Sequence, residues 1–376
     1  MSAIKSKAGE PDELTIELDA YALPYSHKVY KCFPGEGYKF YDVVERESVA
    51  FLDIRGLDEL PANPAAWDEP EIERAIEWDL TSRGPRRSGR KRRRRQSGVI
   101  KRNANFVKGL LLEVKRGALI VVPPPGYRRD VLIGEVIDDP GTPVQVRATD
   151  GEHEFTYLGR RVQWLARIEK RLLKREVLDR LHTAQAFFHI GDSLQEDIYS
   201  VAFENYVWRD KFVATFRTEK RHFSSADNLV SSIWFNGLVA VDQAAGSGRA
   251  LGARSYVEAA LQAEGARGNE LELNINSPGT ILMRTAGPLA LASMAMLPLS
   301  PAEASQVANG EARITLKAVG GSDPTCQLQV EAAVADYVRS LGPELLLEQC
   351  EFGKKAREEA TLKAKVHLKK RPKKHK

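Results

Sequence analysis

Cysteine is scarce in this chain, and the residue patterns that catalysis most often needs are absent. The 376 residues include only Cys32, Cys326 and Cys350. This odd number at wide spacing indicates reduced thiols in a cytoplasmic protein, because secreted domains pair their cysteines. No cysteine or histidine pair stands at metal-ligand spacing, and there is no phosphate-binding Gly-x-x-x-x-Gly-Lys-Ser/Thr loop and no His-Glu-x-x-His zinc helix. We therefore expect no cofactor, no metal site and no catalytic residue.

Long apolar runs are also missing. The longest one, Ala286–Leu299, includes two prolines and is shorter than the roughly 20 residues that span a bilayer. The first 24 residues are polar and contain no apolar segment typical of a signal peptide. The sequence thus predicts a protein without a membrane partner, whose residues 1–24 form a flexible arm.

Positive charge is concentrated in two segments. The net charge is +5, yet residues 83–102 hold eleven Lys/Arg and residues 361–376 hold eight, both without an acid. Removing these nineteen from the 56 basic residues leaves 37 against 51 acidic ones, a net of −14. The sequence therefore predicts an acidic body that carries two basic patches.

The first basic patch, residues 83–102, has two interpretations. Glycine, serine and repulsion between like charges predict a disordered insert. As a phosphate-binding arm it would add salt-dependent affinity without reading sequence. As a solvated insertion it would touch only the acidic surface of the protein itself. The phosphate-binding candidates in this segment are Arg92, Arg93, Arg94 and Arg95.

Short strands follow this insert. Val131–Ile137 and Phe155–Leu158 read as strands, and Arg161–Ile168 alternates apolar and polar residues with period two. Several short strands with little helix between them predict a small, strongly curved sheet or barrel. An aromatic side chain at the rim of such a barrel can stack on a nucleic-acid base.

Three strand motifs in order carry a family resemblance. They are Gly117–Pro123, Ile133–Val136 and Arg160–Trp164, and Val29–Leu60 upstream fits the same order. Together they resemble the EVE-like domain of the PUA superfamily, found at the N-terminus of prokaryotic modification-dependent (Mrr-type) restriction proteins. The resemblance covers about residues 25–190 and implies a small curved β-barrel that reads nucleic acid, with a modified base as the recognised feature.

The resemblance also implies a base-binding pocket. Its residues would be Trp164, Phe51, Asp53 and Tyr157, where Asp53 stands at the position of a family tryptophan and would accept a hydrogen bond from a base edge. Phe51 and Asp53 share one face of a strand because they are two residues apart. Arg160 and Arg161 would bind phosphate at the rim.

The second half mixes helices and strands without a repeat, so we expect a mixed α+β domain at 191–355, followed by a basic tail at 356–376. Ser225–Ala245 is its clearest predicted helix, with Ser225 as the N-cap. Relatives of the EVE-like domain often carry a magnesium nuclease next to it, which requires Glu-x-Lys or Gln-x-Lys on a strand. None stands on a predicted strand here, and Asp210 with Glu219-Lys220 has the wrong spacing.

The fold class predicted from the sequence is α+β, with the barrel domain at 25–190 and its basic insert at 83–102. The predicted function is nucleic-acid binding, with DNA favoured over RNA, in a prokaryotic defence or restriction context. Two alternatives stay open. One is a non-enzymatic scaffold or subunit that binds other proteins of a defence complex. The other is a divergent Mg²⁺-dependent nuclease.

Overall fold

The computed structural model describes residues 13–83, 90–126, 129–246, 258, 260, 270–274, 279–317 and 324–371. In chain order, the strands are β1 (Glu13–Leu18), β2 (Tyr21–Leu23), β3 (Val29–Cys32), β4 (Val49–Phe51), β5 (Leu119–Val122), β6 (Asp130–Val136), β7 (Val144–Asp150), β8 (His153–Glu169), β9 (Phe187–Ile190), β10 (Tyr206–Trp208), β11 (Lys211–Thr218), β12 (Glu270–Asn274), β13 (Gly279–Thr285), β14 (Ala312–Leu316), β15 (Leu362–Ala364) and β16 (Val366–Arg371). The helices are α1 (Tyr41–Glu47), α2 (Glu69–Ser82), α3 (Arg90–Lys108), α4 (Arg175–Leu181), α5 (Asp192–Ala202), α6 (Ser225–Gly246), α7 (Leu289–Met296), α8 (Pro301–Ala308), α9 (Pro324–Ser340) and α10 (Gly342–Glu358). Short 3₁₀ helices lie at Glu36–Tyr38, Leu57–Glu59, Pro64–Ala66 and Lys170–Leu172, and a π-helix lies at Gly109–Glu113.

The fold is α+β, as predicted, and divides into two compact units. The central unit is Ser26–Phe203, and the composite unit joins residues up to Tyr25 with residues from Glu204 onward. The predicted barrel domain ended at residue 190, whereas the central unit also includes α5 and ends at Phe203. Among the described residues, no helix combines the length and apolar character needed to cross a membrane.

One seven-stranded sheet curls through the central unit as a half-barrel, in the order β4-β8-β6-β5-β3-β9, with β7 also paired to β8. β8 is long enough to pair with β7, β4 and β6 in turn, and this sharing closes the curl. Gly159 allows β4 to approach, because a Cβ there would lie 2.6 Å from Ala50 O. The curved sheet predicted from the sequence is therefore present.

The helices of the central unit start where the chain supplies local signals. α2 begins at an Asp68 N-cap that accepts the Glu71 amide, and the Glu71 side chain accepts the Asp68 amide in return. Its buried side chains Ile72 and Ile76 are four residues apart and face the core. The disorder predicted for residues 83–102 is wrong for the described part, because residues 90–102 lie in α3; residues 84–89 are outside the described chain.

The composite unit is built from both ends of the chain. β1 lies between β14, to which it is parallel, and β16, to which it is antiparallel. Leu14, Ile16 and Leu18 point inward and are completely buried. The prediction of a flexible arm is therefore wrong from residue 13 onward. The predicted basic tail is likewise wrong as a separate segment, since residues 362–371 supply β15 and β16.

The remaining strands of the composite unit form a second sheet in the order β12-β13-β11-β10-β2, with β15 paired to β11. α7 is buried along all eight residues, and the Trp234 ring of α6 meets Phe216 and Phe235 edge to face. The predicted helix at Ser225–Ala245 is confirmed as α6. Its N-cap is Ser224 rather than Ser225, because Ser224 Oγ accepts the Asp227 amide.

Candidate functional site

Two of the four predicted pocket residues meet in the core of the central unit. Phe51 of β4 and Tyr157 of β8 lie 5.2 Å apart between ring centroids, and each lies within 5.4 Å of Phe40. All three side chains are completely buried. Their ring faces are used for packing, so the prediction that Phe51 and Tyr157 form an accessible pocket wall is wrong.

Six charged residues cover this aromatic core, and we call them the charged cluster. They alternate in sign, three cations with three carboxylates: Lys39, Asp53, Arg55, Asp79, Arg83 and Asp150. Their side chains are between 4% and 27% exposed. The cluster is therefore electrically balanced and only partly accessible to solvent.

Asp53, the predicted base-edge acceptor, is already held on both oxygens. Lys39 Nζ lies 3.0 Å from Oδ2, and Arg83 lies 2.8 Å from Oδ1. Arg83 also donates to the Asp53 backbone carbonyl at 2.9 Å and to Asp79 at 2.8 Å. A base edge that bonds to Asp53 would have to share it with one of these cations or displace it.

The pKa values of Asp79 and Asp150 shift in opposite directions, because burial outweighs the neighbouring cations at Asp79 and the cations outweigh burial at Asp150. Burial raises the pKa of Asp79, and the hydrogen bond from Arg83 offsets only part of this effect. Burial also acts to raise the pKa of Asp150, but hydrogen bonds from Lys39 and Arg55 outweigh it and lower the pKa. Asp150 therefore holds the anionic charge at this edge of the cluster.

The hydroxyl of Tyr157 is the part of the predicted pocket that faces the cluster. Burial raises its pKa to about 12, beside the Arg55 guanidinium. Neither this hydroxyl nor Arg55 Nε has a hydrogen-bond partner of good geometry among the described residues. An unsatisfied buried polar atom costs about 1–3 kcal/mol. A polar group brought to this point by a ligand would therefore be favoured.

An exposed indole adjoins the cluster. Trp78 of α2 is 47% exposed and its ring lies against Gly56, where a Cβ would be 2.8 Å from the ring. Gly56 has a φ of 77°, which glycine adopts readily. Arg55, the preceding residue, lies 3.9 Å above the ring of Phe155. Aromatic and charged groups thus share this end of the unit.

Trp164, the predicted stacking residue, lies elsewhere. It is seven residues from Tyr157 along β8, about 23 Å in an extended strand. Its indole N–H donates to Glu45 O at 3.2 Å, and a Cβ at Gly134 would lie 2.7 Å from its ring. The ring is half-buried against the sheet. The four predicted pocket residues therefore do not form one pocket.

The two predicted rim arginines, Arg160 and Arg161, differ in burial. Arg160 is fully buried, and its guanidinium donates to four backbone carbonyls, those of Leu110, Leu111, Val114 and Asp138. The first three carbonyls lie at the C-terminal end of the π-helix Gly109–Glu113, where carbonyls have no partner within the helix. Arg160 supplies the hydrogen bonds that these carbonyls lack. Its predicted rim position is wrong.

Arg161 is the exposed member of the pair. Its side chain is 61% exposed and lies 2.7 Å from Asp138 Oδ1, and this ion pair raises the pKa of the guanidinium. Asp138 also accepts the Arg161 backbone amide at 2.9 Å. Arg161 can therefore reach solvent, but its charge is compensated by a buried carboxylate.

The basic helix α3 runs back along α2. Lys108 at the end of α3 lies 2.7 Å from Glu69 at the start of α2, so the two helices are antiparallel. Thirteen residues along either helix, about 20 Å, place Arg95 level with Ser82. The backbone of Arg92–Arg95 thus lies at the α2 end that carries Trp78 and Arg83. The side chains of residues 90–96 are outside the described part of the structure.

Four of the eight cations in the second basic patch, residues 361–376, form ion pairs within the composite unit. Four lysines of residues 362–371 pair with acids of other elements: Lys363 with Glu219, Lys365 with Glu204, Lys369 with Glu17 and Lys370 with Glu303. The Glu219-Lys220 pair, which comes nearest to a nuclease motif, already forms ion pairs with other residues. Lys220 pairs with Asp227 at 2.5 Å, and Glu219 pairs with Lys363. Within the described ranges, no group of three His, Cys, Asp or Glu side chains is arranged to hold a metal ion.

Sequence reasoning missed most of the charged cluster, although two local signals were present. Asp53 and Arg55 are two residues apart directly after a strand, and Asp79 and Arg83 are four residues apart at the end of a helix. No family model, curated protein or solved structure matches this chain. The EVE-like resemblance therefore stays a prediction.

Proposed function

We propose that the central unit binds nucleic acid along α3 and places one base at the neighbouring end, between the exposed indole of Trp78 and the charged cluster. The observation that carries this proposal is the charge of α3. Its nineteen residues include nine Lys/Arg and no acid. The adjacent α2 has five acids and one arginine, so the helix pair keeps an excess of five positive charges.

This excess needs anions from outside the helix pair, and a nucleic-acid backbone supplies them in a row. An α-helix fits the major groove of B-form DNA, which favours DNA over RNA as the partner. Backbone contacts of this kind position a protein without reading sequence. Recognition therefore requires a second element near α3.

The charged cluster with Trp78 supplies that element. Stacking of a base on an exposed aromatic ring contributes about 1–3 kcal/mol. A base edge carries both donors and acceptors, and the cluster offers cations at Lys39 and Arg83 with carboxylates at Asp53 and Asp150. The Tyr157 hydroxyl lies beneath them. The resemblance adds the finer part of the proposal, an EVE-like reader of a modified base in a cytoplasmic prokaryotic defence system.

The experiment is fluorescence-anisotropy binding to matched DNA and RNA probes, plain and with modified cytosine or adenine, over a range of salt. One variant changes Arg92–Arg95 to glutamine. Its matched control changes Lys363, Lys365, Lys369 and Lys370 to glutamine, which removes the same four charges from lysines that are already paired.

We expect the arginine variant to flatten the salt dependence, by about 3–4 units of slope if all four contact B-form phosphates, and the lysine variant to leave it unchanged. Equal effects of the two variants would show that net charge alone drives binding, and the α3 interface would be rejected. Trp78→Ala should reduce the preference for one probe, whereas Trp67→Ala, before the other end of α2, should not. Loss of preference in both variants would reject the base-stacking role.

A further inference from the structure

A row of cations and aromatic rings begins at the edge of the curled sheet, where β3 pairs with β9. Lys31 of β3 lies directly opposite Phe188 of β9, and strand alternation places Phe33, two residues after Lys31, on the same face. On the opposite face of these two strands, Tyr30 stacks on Phe187. We call this set the cation–aromatic row. Its members, in spatial order, are Arg180, Phe188, Lys31, Phe33, Tyr38 and Lys170.

Lys31 brings a buried charge into this row. It is 1% exposed, and its Nζ lies 5.5 Å from the ring centroid of Phe188 and 5.3 Å from that of Phe33. In the described structure Nζ donates to two backbone carbonyls, Thr183 O at 2.6 Å and Gln185 O at 3.1 Å, and pairs with no carboxylate. Burial lowers the pKa of this ammonium group to about 8, so it is still mostly charged at pH 7. Its positive field therefore acts on the row without a paired acid.

Arg180 is the accessible cation of the row. It is half-buried, and its guanidinium carbon lies 4.2 Å from the ring centroid of Phe188. Among the described residues, no group hydrogen-bonds to this guanidinium and no carboxylate pairs with it. Contact with Phe188 uses one face of the planar group, whereas its N–H donors lie in the plane. The donors and the second face are therefore free to bind a ligand.

The other end of the row is held in a strained conformation. The rings of Phe33 and Tyr38 meet edge to face with their centroids 4.8 Å apart, and Lys170 Nζ lies 5.9 Å from the ring centroid of Tyr38. Tyr38 has a φ of 61°, which is unfavourable for a bulky residue. Strain of this kind clusters at ligand sites. The next residue, Lys39, belongs to the charged cluster, so one peptide bond joins the row to the cluster.

We infer that the cation–aromatic row binds an unpaired DNA strand, with a phosphate on the N–H edge of Arg180 and a base on its open face. This inference rests on the proposed function. A base placed at the charged cluster has to leave the duplex, so the strand that carries it is unpaired at that point. Sites for single strands combine cations that follow the backbone with planar groups on which bases stack, and guanidinium planes serve this purpose. The row supplies both kinds of group next to the cluster.

The test is fluorescence anisotropy of the full chain with a labelled oligothymidine strand and with a duplex of the same length, each over a range of salt. We expect Arg180→Gln to weaken binding of the single strand about fivefold or more and to reduce its salt slope by about 0.7, the value for one lost phosphate contact. The matched control is Arg175→Gln, which removes the same charge from the same helix. Arg175 is 90% exposed and pairs with Asp179, so this variant should bind like the unaltered protein.

A second variant tests the ring beneath Arg180. Phe188→Leu keeps an apolar side chain on β9 but removes this ring, and it should weaken single-strand binding about fivefold and duplex binding less. Its control is Tyr30→Leu, which removes a ring from the opposite face of the same strand pair. Both row variants are also measured with Arg92–Arg95 changed to glutamine, so that α3 does not hold the strand. Because the Arg180 side chain makes no hydrogen bond in the described fold, Arg180→Gln should unfold at the temperature of the unaltered protein.

Three results would overturn the inference. The first is that Arg180→Gln binds the single strand no more weakly than Arg175→Gln does. The second is that the row variants weaken single-strand and duplex binding equally, since the row would then not select unpaired DNA. The third is that inorganic phosphate at matched ionic strength displaces the strand completely, since a single anion would then be the ligand. Failure of the proposed function is a separate result, because the Arg92–Arg95 variant would then bind duplex like the unaltered protein, whatever Arg180→Gln does.

Discussion

Arg160 is predicted to be a stability residue, and Arg160→Met tests this directly. Methionine keeps an unbranched side chain of similar length in the core but removes every donor. The four carbonyls that now receive the guanidinium would lose it, at distances that run from a short contact with Asp138 O to 3.4 Å for Leu111 O. These acceptors lie in the interior, so water cannot replace the lost bonds without opening the domain.

The magnitude follows from two opposing effects. Each unsatisfied carbonyl costs about 1–3 kcal/mol, but three of the four bonds are 3.1 Å or longer and such losses are not additive. Burial lowers the pKa of Arg160, which shows that keeping this charge inside already has a cost that methionine avoids. We therefore expect Arg160→Met to lower the free energy of unfolding by about 3–5 kcal/mol, less than the sum of four separately lost carbonyl partners.

The assay is urea-induced unfolding followed by circular dichroism and tryptophan fluorescence. Arg147→Met is the matched control, because Arg147 is exposed on the neighbouring strand β7 and should change the free energy by no more than about 0.5 kcal/mol. Arg160→Lys keeps a charge but reaches fewer carbonyls, so it should fall between the two. A loss below about 1 kcal/mol in Arg160→Met would refute the structural role. Unchanged stability with weakened DNA binding would restore Arg160 to the phosphate-binding rim.

Three further predictions concern the central unit. Burial lowers the pKa of His27 to about 4 from 6.5, against the opposing hydrogen bond to Gly117 O, so the folded state takes up this proton at lower pH than the unfolded state. The contribution of neutral His27 to the free energy of unfolding, up to about 3 kcal/mol, should be present above pH 6.5 and lost as the pH falls towards 4. Urea unfolding of the protein and of His27→Gln across this range measures it. The difference between their free energies of unfolding should shrink as the pH falls. Gly134→Ala should destabilise by about 1–3 kcal/mol because a Cβ would lie 2.9 Å from a backbone oxygen, whereas Gly191→Ala, with open space around it, should change the unfolding midpoint little. Trp164→Ala should lower the unfolding free energy by about 2–3 kcal/mol and leave the preference among nucleic-acid probes unchanged; a changed preference would return Trp164 to the binding site.

The sequence predicted well those elements whose signals are local. α6 was placed within one residue of its bounds from its apolar stripe and its first-turn Asp227. The curved sheet followed from the spacing of short strands. The N-cap was misplaced from Ser224 to Ser225, because adjacent serines are equivalent in composition and only the backbone conformation decides between them.

β1 was missed even though its pattern is visible. Residues 13–18 alternate strictly, with Leu14, Ile16 and Leu18 on the buried face. Its partners β14 and β16 lie about 300 and about 350 residues further along the chain. A polar N-terminal segment with no neighbouring strand to pair with suggests an arm, and only the fold brings the partners together.

The candidate site was predictable only in part for the same reason. Asp53 is identifiable from the sequence, but its two cations come from the segment before α1 and from the end of α2. The third cation, Arg55, lies after β4 and pairs with Asp79 and Asp150. Trp164 was selected because its motif resembles a known pattern. Trp78, in a helix outside that motif, was not, although its exposure makes it the better stacking surface.

The two basic segments show why charge density alone does not define a binding surface. Both contain cations without an acid, and residues 83–102 have a phosphate-binding arm as one of their two interpretations. In the fold, each of the four lysines of residues 362–371 pairs with a glutamate of the same unit, so this part of the patch is compensated. α3 instead packs beside one helix with too few acids to balance it. The net charge left after these internal pairs, rather than the count of lysine and arginine, is what can attract a polyanion, and on that criterion α3 is the stronger candidate.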